Sequence, residues 1–157
     1  MAIELPPQGT RGGRGFSGTP ARIFSRLAAA VYRATGGRAS AETLLLTTVG
    51  AQSGEQRVAS IRRFDEGAGR WLVVGSTGGG PKHPAWAFNL ARNPDKVWIE
   101  VGRDRIKVRP ELLAGEERAA AWQRIVREAS NFGAYETKTD RQIPVFRLFR
   151  EGGSRSA

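Results

Sequence analysis

Between Gly75 and Pro94 the chain reads GSTGGGPKHPAWAFNLARNP, and its residue types suit one kind of chemistry, the holding of an anion on bare backbone. The apolar run Trp71 to Val74 ends at Gly75, and small residues fill Ser76 to Gly80. Lys82 and His83 then lead into an amphipathic segment carrying Trp86, Phe88 and Leu90, which stops at Asn93-Pro94. A strand, a glycine loop and a helix start in that order leave N–H groups pointing outward, where the helix dipole adds to their attraction for negative charge. Plain turn geometry produces the same letters, so the stretch is a candidate site and a candidate turn at once.

Side chains that could react are scarce. The single histidine, His83, sits beside Pro84 at a helix start, away from any nucleophile elbow. The chain has no cysteine, which excludes disulfides and thiolate chemistry, and one histidine argues against a zinc site, so no metal is expected. Neither a Walker sequence nor a GxGxxG in a βαβ setting occurs. An enzyme with so few reactive groups would borrow its reactivity from a cofactor and supply binding and orientation.

At 157 residues, 39% apolar and 25% charged, the chain has the size and balance of one soluble domain. No apolar run approaches the roughly 20 residues of a membrane span, and no signal-peptide core is evident, so the cytoplasm is the expected compartment. The net charge of +10 calls for an anionic partner: a small molecule, an acidic lipid surface or nucleic acid. Nucleic acid is disfavoured, because aromatics interleaved with basic residues are not evident.

The elements that must position the loop follow from period and punctuation. Residues 1–18, rich in Gly, Pro and Arg, read as a disordered arm, residues 19–150 as the folded domain and 151–157 as a solvated tail. A helix runs from a Thr19 cap and Pro20 to Gly36-Gly37, with Arg22, Arg26 and Arg33 on one stripe and Ile23, Phe24, Leu27 and Val31 opposite. Either it packs on the domain with its basic face solvated, or it lies peripherally on an anionic membrane, apolar face down. Strands are expected from Thr43, over Arg57–Phe64 and Arg70–Gly75 as an antiparallel meander, then over Lys96–Val101, Arg105–Leu113 and Ile143–Arg150. A helix is expected over Gly115–Ser130 and a polar loop over Asn131–Arg141. The order is mainly β with flanking helices (α+β), and a closed or half-closed barrel would remove the sheet edges.

Three segments, in order, resemble the deazaflavin-dependent nitroreductase family, coenzyme F420-dependent quinone and nitro reductases with a split β-barrel, flavin-reductase-like fold. They are LLLTTVGAQSGEQRV (Leu44 to Val58), the Gly75–Pro94 stretch and TDRQIPV (Thr139 to Val145). The resemblance implies reduced F420 as cofactor and hydride transfer to a quinone, nitro or other conjugated small-molecule acceptor. It implies that Ala51, Gln52, Ser53, Arg57, Val58, Ala59, Ser60, Ile61 and Arg62 hold the coenzyme's phosphate and acidic tail. Arg57 leads that set, because a guanidinium meets phosphate in bidentate fashion. Val74, Gly75, Ser76 and Thr77 would present backbone to the deazaflavin, with Lys82 nearby. Ala85, Trp86, Ala87, Phe88 and Asn89 would continue the wall, and Trp86 would line the site or anchor its helix. Phe132 would stand near the ring, and Tyr135 would hydrogen-bond the acceptor or donate the proton that follows hydride transfer. Some family members carry basic residues where this chain has Ala51, Gln52 and Thr77; their loss would weaken coenzyme binding unless Arg57, Arg62, Arg63 and Lys82 compensate. A non-catalytic protein sequestering a flavin-like, haem or lipid ligand on the same barrel is the alternative. Split barrels of this kind often dimerise, so a homodimer is an open expectation.

Overall fold

The computed structural model describes residues 2–12 and 19–152, with the side chains of residues 19–22 left out. The Thr19 cap, the Arg22 side chain, residues 13–18 of the arm and residues 153–157 of the tail therefore lie outside the described residues. Among the described residues seven strands form one antiparallel sheet: β1 (Thr43–Val49), β2 (Gln56–Arg62), β3 (Phe64–Gly67), β4 (Arg70–Val74), β5 (Trp98–Val101), β6 (Asp104–Leu112) and β7 (Val145–Arg150). Four α-helices among the described residues accompany it: α1 (Thr19–Ala34), α2 (Ala85–Arg92), α3 (Gly115–Glu128) and α4 (Asn131–Lys138). The spatial order is β2-β1-β5-β6-β7-β4-β3, and the sheet curls until β2 comes against β4 across a seam that carries no ladder. This is the expected split barrel.

Alternation along the strands sorts two cores. Leu44, Leu46, Ile99, Val108, Phe146 and Leu148 point inward and are covered by Trp86 and Leu90 of α2. Leu72, Val74 and Val145 point outward and are covered by Trp122 and Ile125 of α3 and Phe132 of α4.

Four expectations need correction. β2 pairs with β1 alone, while β4 pairs with β3 and β7, so the first three expected strands are not one meander. The break falls at Arg63, whose N–H bonds back to Glu42, after which Phe64 opens a separate hairpin. Asn131–Lys138 is helix rather than loop. There Phe132 is buried, and a Cβ on Gly133 would stand 3.3 Å from Val126 Cγ1, so the glycine lets α4 close on α3.

The third correction concerns α1. It packs through Ala29 and Tyr32 on Leu45 and Val58, with Gly102 N–H donating to Tyr32 Oη and Arg33 forking onto Glu100. Its apolar stripe of Ile23, Phe24, Leu27 and Val31 faces outward, 53% to 63% exposed. The side of the helix that meets the sheet is the one carrying Ala29 and Tyr32.

Residues 2–12, the fourth, are no disordered arm but lie along the domain as a strap, with Ile3, Leu5, Pro6 and Gly9 half-buried. Ile3 N–H bonds to Ala91 O, Ile3 and Leu5 pack on the inner core, and Gly9 N–H bonds to Pro81 O. Isolated apolar residues in a Gly/Pro-rich run give no periodic signal, which is why the strap was not legible.

Some of the arginines are engaged by acidic neighbours. Arg33 pairs with Glu100, Arg62 with Glu42, Arg63 with Asp65, and Arg147 with Glu66 and Glu117. Each such pair cancels internally, so the net charge of +10 still stands for the cations that have no acidic counterpart.

Candidate functional site

β1, β4 and β6 run one way and β2, β3, β5 and β7 the other, so the ends of β1 and β4 share a rim with the start of β2. That rim gathers the turn Ala51–Ser53, Arg57 and the loop after Val74. Helix α2 and the residue that follows it hold the turn: Ala51 N–H donates to Asn89 Oδ1 at 3.0 Å, and Asn93 Nδ2 donates to Val49 O at 3.3 Å. Ala51, Gln52 and Ser53 are exposed, and Ser53 Oγ accepts the Glu55 N–H.

Arg57 stands opposite Thr48 in the ladder, on the inner face. It pairs with the exposed Glu55 at 3.0 Å, a contact that solvent screens and a stronger anion would displace. Thr48 is 0% exposed and its Oγ1 has no hydrogen-bond partner. A buried orphan hydroxyl beside an available guanidinium fits a phosphate or polar ligand group seated there. Val58, Ala59, Ser60 and Ile61 are half-buried along β2, an edge strand whose free backbone groups face the seam. Arg62 does not join them. It lies at the opposite end of β2, about 16 Å along the strand from Arg57, engaged by Glu42.

The glycine-rich loop is organised from behind by a residue outside the expected set, Arg141, 6% exposed. Its Nε donates to Gly80 O (2.8 Å), Nη1 to Gly75 O (3.0 Å) and His83 Nδ1 (2.9 Å), and Nη2 to Ser76 O (2.7 Å) and Thr77 Oγ1 (2.8 Å). Thr77 has φ +43, an uncommon conformation for a β-branched residue, and its hydroxyl also donates to Lys82 O. The signal available in the sequence was an Arg inside TDRQIPV, noted for resemblance but not for chemistry. Gly75 itself is required, because a Cβ there would stand 2.8 Å from Pro144 Cγ. Lys82 and Ala85 are exposed at the loop, and Val74 and Ala87 are buried.

The aromatics divide by burial. Trp86 packs edge-on against Phe146 at 5.9 Å, so it anchors α2. Phe132 stacks edge-on with Phe64 and Tyr135 and is a core residue. Phe88 is partly exposed beside the His83 ring. Tyr135 is half-buried, and its Oη accepts from Asn131 Nδ2 at 3.0 Å, which leaves the phenolic proton free to donate elsewhere.

His83 is 4% exposed and joins the loop to the strap. An arginine can only donate, so Nδ1 accepts and the ring proton sits on Nε2, which donates to Pro6 O at 2.6 Å. Burial, with the Arg141 charge adding, pushes the imidazole below its ordinary 6.5 despite the opposing Pro6 bond. Because the folded value is the lower one, the stabilisation is complete above about 6.5 and is lost as pH falls through the folded value. Protection factors of the Ile3 and Gly9 amides, each taken against the intrinsic exchange rate at that pH, should therefore fall on acidification below about 6.5, and the Arg141 charge opposes the added proton. Equal protection factors at pH 8 and pH 5 would sink this. The Asp140 carboxylate, held at about 2 by Thr10 and Arg11, still anchors the strap in that window.

Comparison with known proteins gives the family. The family model for F420H(2)-dependent quinone reductase matches residues 24–149. The chain belongs to that family. It is 38% identical over 135 residues to an F420H(2)-dependent quinone reductase of Mycobacterium tuberculosis, covering 80% of this chain and 89% of that protein. Among solved structures, an F420-H2 dependent reductase superposes with TM-score 0.62 at 40% identity, covering 68% of this chain and 93% of that one. A second, described as a domain-swapped dimer, superposes with TM-score 0.63 at 34% identity, covering 83% and 99%. As a family member the chain is an oxidoreductase of the F420H2-dependent type. The donor set fits that coenzyme: a cation and an orphan hydroxyl for its phosphate, an open strand edge for its length, and a glycine wall for its ring.

Proposed function

We propose that this reductase binds reduced F420 across the rim and passes its hydride to a quinone or similarly conjugated acceptor. Bound there, the coenzyme supplies the hydride. Arg57 and Thr48 hold the phosphate, the β2 edge follows the tail, and the loop Val74 to Thr77 backs the ring. Tyr135 offers its phenolic proton to the acceptor. The observation that carries the reading is the convergence of Arg57, the β2 edge and the Arg141-braced loop at one rim. Titration with reduced and oxidised F420 by fluorescence, followed by turnover on quinone and nitro panels, tests it. Micromolar binding with turnover is expected. Binding without turnover would favour a sequestering protein, and no binding would overturn the coenzyme assignment.

The finer reading of α1 is that it rests on an anionic lipid surface. Its exposed apolar stripe carries Phe24 and Leu27, the helix holds no acidic residue, and the exposed Arg26 lies on it. No helix among the described residues is long and apolar enough to cross a membrane. Pull-down with phosphatidylserine-containing vesicles should retain the protein, neutral vesicles should not, and Leu27→Asp should abolish retention at unchanged thermal midpoint. Equal retention on both vesicle types would end the idea. Light scattering of the same sample tests a homodimer, for which the domain-swapped relative is the support.

A further inference from the structure

We infer that Arg141 is the positioning residue of the glycine-rich loop, turning two consecutive backbone amides toward the ligand side of the rim. This rests on the reading of that loop as a coenzyme wall. Gly75 O and Ser76 O both accept from the guanidinium, at 3.0 Å and 2.7 Å. Peptide bonds here are trans, and a trans peptide sends its N–H opposite to its C=O. The amides of Ser76 and Thr77 consequently point away from Arg141. Ser76 has φ −79 and ψ −34 and Thr77 has φ +43, a right-handed then left-handed pair that makes successive N–H groups converge into a concave donor. Such a donor suits a carbonyl or anionic oxygen.

The device needs an arginine. Five acceptors, on Gly75, Ser76, Thr77, Gly80 and His83, surround one planar fork, and no carboxylate is among them. A lysine ammonium has three donors on a single atom and cannot span acceptors on both ends of the loop. The Thr77 hydroxyl bonds, to Arg141 and to Lys82 O, offset its left-handed backbone. A carboxylate in the Arg141 set would have satisfied the charge locally; its absence leaves the backbone carbonyls as the acceptors that fix the loop.

The test uses Arg141→Ala and Arg141→Lys in the full chain, checked for folding by circular dichroism. Two readouts are taken: hydrogen exchange of the amides from Ser76 to Gly80 without ligand, and the Kd for F420. In folded Arg141→Ala both should rise by at least about tenfold. Millimolar methylguanidinium should restore a large part of each, and Arg141→Lys should not. Unchanged loop exchange in the folded variant overturns the proposal, and so does failure of methylguanidinium to restore either readout. Should Arg141→Ala not fold, Thr77→Ala decides: exchange faster by about two- to fivefold supports the bracing, and no change overturns it. If the wild-type protein fails to bind F420, the coenzyme reading falls while loop exchange still judges Arg141.

Discussion

Arg57→Glu should weaken F420 binding by roughly 30- to 1,000-fold, about 2–4 kcal/mol, with little change in stability. A charge-assisted contact to phosphate is worth about 1.5–3 kcal/mol, and the introduced carboxylate adds repulsion at the same place. Ala51 and Gln52 bring no cation to the neighbouring turn, so the remaining electrostatic attraction at this end of β2 is concentrated in Arg57. Stability should hold because the Glu55–Arg57 pair is exposed and such pairs contribute about 0–1 kcal/mol. Arg62→Glu is the matched control: it lies at the other end of the strand and should change Kd by less than about threefold, since screening beyond a Debye length leaves little at about 16 Å. Equal losses from both variants would mean that bulk charge, not a site, attracts the coenzyme.

Phe146→Ala should cost about 3–5 kcal/mol of folding stability, seen as a drop in thermal midpoint of roughly 6–20 °C. Phe146 is fully buried in β7, lies opposite Val73 in one ladder and Leu112 in the other, and meets Trp86 edge-on. Truncation opens a cavity where the sheet cannot collapse, since two ladders hold the strand in register. The penalty is a large share of the roughly 5–15 kcal/mol available to a domain. The loss should also reach function, because Trp86 seats α2 and α2 carries the Asn89 bond to the turn at Ala51. Urea unfolding gives the first quantity and coenzyme titration the second; a shift below about 1 kcal/mol would show that the site repacks.

Sequence determined most of the elements and the family. Strand boundaries at Thr43–Val49 and Arg70–Val74 follow from β-branched apolar runs closed by glycine, and α3 from its Trp122–Ile125 stripe, because these patterns report local burial. Motif resemblance likewise put Arg57 and the glycine loop in one functional set. What it did not carry were partnerships across long separations. Arg141 reads as one more surface cation until the fold closes the chain between it and Gly75, when burial obliges every donor to find a carbonyl. Asn131–Lys138 has weak helical signals, and only the packing of Phe132 and Gly133 on neighbouring elements makes it helix. The direction of the α1 stripe was decided by the docking of Ala29 and Tyr32 on the sheet and the Arg33–Glu100 pair, since amphipathicity marks an apolar face without saying what covers it. Local pattern thus set the pieces, whereas orientation and hydrogen-bond satisfaction depended on residues brought together from distant parts of the chain.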